Sequence, residues 1–67
     1  MDEDTIKDAA KSFATALKDF GYPVMPEWTE GQIRAWLRGE ELRGGPAMFI
    51  GRWLEEIGAK KGTAPCA

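Results

Sequence analysis

Apolar residues recur along the first part of the chain at Ile6, Ala10, Phe13, Leu17 and Phe20, at spacings of four, three, four and three. Such a stripe is one face of a helix packed against other helices, and it predicts a helix near residues 5–20. Thr5 is the expected N-cap, and Asp8 three residues on makes a variant of the capping box and suits the positive end of the helix dipole. Gly21 supplies a left-handed stop, and Pro23 forbids continuation. The segment from Gly21 to Trp28 carries two prolines, which push Tyr22 and Met25 toward extended backbone. With Tyr22, Val24, Met25 and Trp28 in it, the segment reads as an ordered connection lying across helices.

A second helix is expected near 30–38. Thr29 is its expected N-cap, Gln32 completes a Thr-x-x-Gln capping box, and Trp28 and Ile33 form a hydrophobic staple. Ile33 and Leu37 then face the core, Trp36 falls at the margin of their stripe, and Gly39 is the stop. Residues 40–45 read as a loop with a short helical turn at Glu40-Glu41-Leu42 and Leu42 turned inward. A third helix is expected near 46–57, opening on Pro46 and stopping at Gly58. Ile50, Trp53 and Ile57 centre its apolar face, with Phe49 and Leu54 on the flanks. Arg52 and Glu56 are spaced to pair across one turn. Gly51 weakens this helix unless a neighbour approaches closely there. From Ala59 the apolar periodicity ends, which predicts a flexible tail over 59–67 behind a single domain over 1–58. The fold class expected is therefore all-α, a compact three-helix domain. Its expected core is Phe13, Leu17, Phe20, Trp28, Ile33, Leu37, Ile50, Trp53, Leu54 and Ile57.

Composition narrows the function. At 67 residues the chain is one domain, in a size range where cores often need disulfides, a metal or a partner. With a single cysteine, Cys66, and no histidine, neither a disulfide nor a metal set is expected, and no cofactor. The lack of histidine also leaves general acid–base work without its usual residue, so no enzyme activity is expected. The acidic start Asp2-Glu3-Asp4 is unlike a signal peptide, and no apolar run is long enough to cross a bilayer. One unpaired cysteine fits a reducing compartment, and a cytoplasmic location is expected.

Two helices joined by a Gly-containing turn bring a helix-turn-helix to mind. Against that stand a net charge of −2, a connection longer than usual, and the apolar opening Pro46-Ala47-Met48-Phe49-Ile50 of the third helix, where base-reading residues would be polar. Arg43-Gly44-Gly45-Pro46 has the form of a turn and cap and also of an anion site at a helix start. Lys7, Lys11 and Lys18 share one flank of the first helix, opposite Asp8 and Asp19. The Phe20-Gly21-Tyr22 turn, with Trp53-Leu54 late in the third helix, loosely resembles the layout of ubiquitin-associated domains. Residues 23–27 are an insertion such domains lack, and no family assignment follows.

Apolar residues off the core stripes favour protein contacts. Met48 falls opposite the Ile50–Trp53–Ile57 centre, Trp36 sits on a margin, and Tyr22 and Met25 lie in the connection. Trp, Tyr, Met and Arg are the types enriched at interfaces. The function expected is a small non-enzymatic cytoplasmic binding module or subunit, docking on a protein partner or on itself through Trp36, Met48, Phe49, Arg34, Arg38 and Arg52. The alternative is a small helix-turn-helix-like regulator that binds nucleic acid.

Overall fold

A computed structural model describes residues 2–62 of the chain. The fold is all-α: α1 spans Glu3–Asp19, α2 Pro26–Leu37 and α3 Ala47–Glu56, with no strand among the described residues. None of these helices is long and apolar enough to cross a membrane.

Two helices start earlier than their sequence signals suggest. Asp2, not Thr5, caps α1: its carboxylate accepts the Thr5 N–H at 2.8 Å. The hydrogen bond holds the Asp2 carboxyl below its ordinary range. Asp2 is as good a cap as threonine, and starting there places Glu3 and Asp4 in the first turn, where negative charge meets the helix dipole. In α2 the expected capping box and Trp28 staple do not form. Pro26 is the first helical residue, and Met25, extended at φ −86° and ψ 150°, precedes it without a side-chain cap. A proline arrives with helical φ already set and has no N–H to satisfy, so it nucleates the helix three residues ahead of Thr29. That makes Thr29 an interior residue. It is fully buried, and its hydroxyl proton is shared between the carbonyls of Ala10 and Pro26, both at 2.8 Å. Thr29 thus ties α2 to α1.

The helix ends follow their glycines. After α1, Gly21 adopts φ +93°, its N–H donates to Lys18 O (3.0 Å), and the Tyr22 N–H donates to Leu17 O (2.8 Å). This is the Schellman arrangement, and Gly39 and Gly58 repeat it after α2 and α3.

α2 packs between α1 and α3. Leu17, Ile33, Ile50 and Leu54 are fully excluded from water, and Ile6, Ala10, Trp36 and Leu37 complete the buried cluster. Phe13, Trp28 and Trp53 pack against it while only partly buried. Trp36 corrects the expectation of a marginal position: only 7% of it is exposed. Thr29, Ile33 and Trp36, at i, i+4 and i+7, form one buried stripe of α2: Thr29 reaches Ala10 of α1, and Trp36 reaches Gly51 of α3. Gly51 is the reason α3 admits the indole. A Cβ there would stand 3.2 Å from Trp36 Cζ3.

Phe20 and Ile57 are corrected in the other direction. They are 66% and 59% exposed. Both are C-cap residues, at φ −85° with ψ near 0°. A stripe repeats only while the helix continues, and at its cap the backbone has already turned away.

Between α1 and α2 the chain is extended over residues 22–25, with a trans Tyr22–Pro23 bond and Val24 packed on the core. Residues 40–43 form no helical turn, contrary to expectation: the chain leaves α2 through its Schellman end and carries no regular structure there. Leu42 does turn inward against the core. The flexible tail expected from Ala59 is also corrected in its first part. Ala59 O accepts the Trp36 indole N–H at 2.8 Å, and the Gly62 N–H donates to Trp36 O at 3.0 Å, so residues 59–62 are fastened to α2. Residues 63–67 of that tail lie outside the described residues.

Candidate functional site

Antiparallel to α1, α3 meets it through a cluster of rings. Phe13 lies 5.0 Å from Trp53, centroid to centroid, and Phe49 lies 6.2 Å from Trp53. Phe20 stacks on Phe49 at 6.1 Å with ring planes 10° apart, and Tyr22 leans on Phe49 at 5.9 Å. Offset and tilted rings at these distances are mutually attractive through their quadrupoles. The chain places them by simple spacing. Phe13 and Phe20 are two turns apart on α1, Phe49 and Trp53 one turn apart on α3, and the Gly21 turn swings Tyr22 back over Phe49.

The ring cluster is not a core. α2 covers the opposite side of α1 and α3, and no described element covers the rings. Phe20 and Tyr22 are exposed, while Phe13, Phe49 and Trp53 are half-buried. Ile57 continues the Phe49–Trp53 row of α3, and the exposed Met48 and Arg52 lie on the row beside it. On α1 the side chains next to the rings are small, Ala9, Ser12 and Ala16, with Asp19 at the edge.

The six expected contact residues do not form one site. Trp36 is interior and offers no surface to a partner. Arg34, half-buried, donates to Glu3 at 2.6 Å and to Glu30 at 3.2 Å, bridging the start of α1 to α2. That contact holds the Glu3 carboxyl below its ordinary value and the Arg34 guanidinium above its own. Arg38 pairs with Glu40 at 2.8 Å. Met48, Phe49 and Arg52 do share the exposed side of α3. Among the described residues Arg52 makes no ion pair, and its expected pairing with Glu56 is absent.

Phe13, Phe20 and Trp53, all expected in the core, reach the surface: Phe20 stands largely in water, and Phe13 and Trp53 are half-buried. For Phe20 and Ile57 a usable signal was present: each immediately precedes the glycine that stops its helix.

Other candidate chemistry is sparse. In the Arg43–Pro46 turn, Arg43 is committed to Glu41 at 2.5 Å, and Lys61 stands 3.8 Å from the same carboxylate. Arg43 is the main cause holding the Glu41 carboxyl below its usual range. Open depressions of about 180 to 450 Å³ run along α1, lined by Lys7, Lys11, Lys18, Pro26 and Glu30 among others. No cluster of three or more metal-ligating side chains occurs among the described residues.

Fold and surface together define a small three-helix domain with one exposed aromatic face. Comparison with protein-family models, curated proteins and solved structures finds no match to this chain.

Proposed function

We propose that this chain is a small cytoplasmic binding module, without catalysis of its own, that acts through protein contacts at the aromatic face of α1 and α3. The observation that carries the reading is the ring cluster Phe13–Trp53–Phe49–Phe20–Tyr22 left uncovered on a domain with so little surface to spare. Phe20 alone, two-thirds exposed, presents about 130 Å² of apolar surface. With Tyr22, Met48 and the edges of the other rings, the apolar patch is on the order of 400 Å², within the range that monomeric proteins leave open. Phe, Tyr, Trp, Met and Arg are the types that concentrate at interfaces.

The nucleic-acid reading draws less support. Arg34, Arg38 and Arg43 are each engaged by glutamate, and the exposed side of α3 carries Glu55 and Glu56 beside its one arginine. A binder of phosphate needs its cations available. The single cysteine of the sequence supports the cytoplasmic assignment.

Photo-crosslinking tests the proposal. A benzoylphenylalanine at position 20 should capture a discrete protein species in cells, whereas the same probe at the exposed Lys18, on the flank of α1 opposite Asp19, should not. Equal capture from both positions, or none from Phe20, would refute it.

A further inference from the structure

We infer that the occupant of the aromatic face is a second copy of this chain, packed about a two-fold axis that runs along α1 and α3. This inference rests on the binding-module reading and names its partner. Two observations point to self-pairing.

The first is charge. The two edges of the face carry opposite, uncommitted charges. Asp19 borders it on α1 and Arg52 on α3; both are exposed, and neither makes an ion pair among the described residues. Phe20 lies level with Phe49, and Phe13 with Trp53, which fixes the relative height of the two helices. Asp19 and Arg52 therefore stand within about one helical turn, roughly 5.4 Å, of the same height. A two-fold axis along the helices lays α1 of one copy over α3 of the other without changing heights. Each Arg52 then meets Asp19 of the other copy, twice by symmetry, as an isologous interface requires. An unrelated partner would need its own matching pair of charges; this face already matches itself.

The second is area. A standard interface takes about 800 Å² from each partner, and homodimer interfaces are about 65% apolar, so roughly 520 Å² of apolar surface is needed. The aromatic face, on the order of 400 Å², supplies most of that. On α1 the small residues Ala9, Ser12 and Ala16 leave room for the facing rings to approach. Glu56, one turn beyond Arg52 and closer to the Phe49 row, brings a negative charge into the face, so the pairing should be concentration-dependent rather than obligate.

Sedimentation equilibrium of the full chain tests this. Mass should rise with concentration from 7.4 kDa to twice that value. Arg52→Glu and Asp19→Lys should each weaken association by about tenfold or more, and the double variant should recover most of the loss. Unchanged circular dichroism verifies that each variant is folded. A monomer at every concentration overturns the inference, as does a dimer indifferent to both charge reversals. The Phe20 crosslink separates this failure from failure of the broader reading. An adduct of the chain with a different protein ends self-pairing and keeps the docking face, whereas no adduct ends both.

Discussion

Alanine placed at Gly31 and at Gly51 makes the same chemical change in two helices, yet it should move stability in opposite directions. Gly31 is the sixth residue of α2 and Gly51 the fifth of α3, and neither has a positive φ. Replacing an interior helical glycine by alanine gains about 1 kcal/mol, because the unfolded chain loses freedom that the folded chain never had. At Gly31 a new Cβ meets nothing within 4 Å. The whole gain should appear there, raising the melting temperature by about 4–8 °C for a domain of this size. At Gly51 the Cβ would lie 3.2 Å from Trp36 Cζ3 and 3.6 Å from Cε3. The indole has little room to retreat, since its N–H is held by Ala59 O at 2.8 Å, and the new Cβ would also meet Leu42 Cδ1 at 3.9 Å. Overpacking of this kind costs about 1–3 kcal/mol. Set against the same gain of about 1 kcal/mol, Gly51→Ala should be destabilising by about 1 kcal/mol. Thermal and urea unfolding followed by circular dichroism measure both. Equal stabilisation by the two substitutions would show that Trp36 does not stand on Gly51.

Thr29→Asp separates cap from interior: at an N-cap aspartate is at least as good as threonine, but at this fully buried position it should unfold a domain whose total stability is roughly 3–10 kcal/mol. The milder Thr29→Val should cost about 1 kcal/mol through the lost bond to Ala10. A chain ending at Gly58 loses the two hydrogen bonds that fasten Ala59 and Gly62 to Trp36, and should be less stable by about 1–2 kcal/mol in urea titration, where removal of a flexible tail would change nothing. Phe20→Ser should cost less than about 1 kcal/mol because most of the ring is already in water, while Leu17→Ala, fully buried, should cost about 3 kcal/mol. Asp2, Glu3 and Glu41 have folded-state pKa values depressed from ordinary values of 3.8, 4.5 and 4.5 by their hydrogen-bond and arginine partners. Their contribution is therefore present above those values and lost as pH falls through the lower folded ones. With no histidine in the chain, the urea midpoint should be flat from about pH 6 to 8 and decline below about pH 4.5, and a decline beginning near pH 6 would contradict this assignment.

The ends of the helices were more legible in the sequence than their starts, and the reason is the number of ways each can be made. A left-handed C′ position is nearly a glycine monopoly, so Gly21, Gly39 and Gly58 fixed the three ends. A start has several solutions. Asp2 competes with Thr5 as a cap, and Pro26 competes with Thr29 by a different mechanism. The nearby Thr-x-x-Gln pattern is outweighed once the Thr29 hydroxyl finds a carbonyl on another helix. Burial was legible for Leu17, Ile33, Leu37, Ile50 and Leu54, which lie within regular helix. It failed at Phe20 and Ile57, where the helix stops, and at Trp36, whose partner Gly51 lies fifteen residues away on a different helix.

The exposed aromatic face follows from the number of elements. Three helices with α2 in the middle can cover only one side of the α1–α3 pair. The rings joining α1 to α3 must then serve two purposes. Phe13, Phe49 and Trp53 pack their inner edges on the buried cluster, and their outer edges remain in water because the described chain offers no fourth element. Trp36 shows that the chain can bury a tryptophan when it has the means: a glycine beneath the ring, a carbonyl for the indole N–H, and residues 59–62 laid across it. Nothing comparable is spent on Phe20 or Tyr22. A glycine, a hydrogen bond and a returning segment on one side, and none of these on the other, distinguish an aromatic residue used for the core from aromatic residues left exposed. Phe20 and Tyr22, with the outer edges of Phe13, Phe49 and Trp53, therefore belong to the surface the protein presents, and Trp36 belongs to what holds that surface in place.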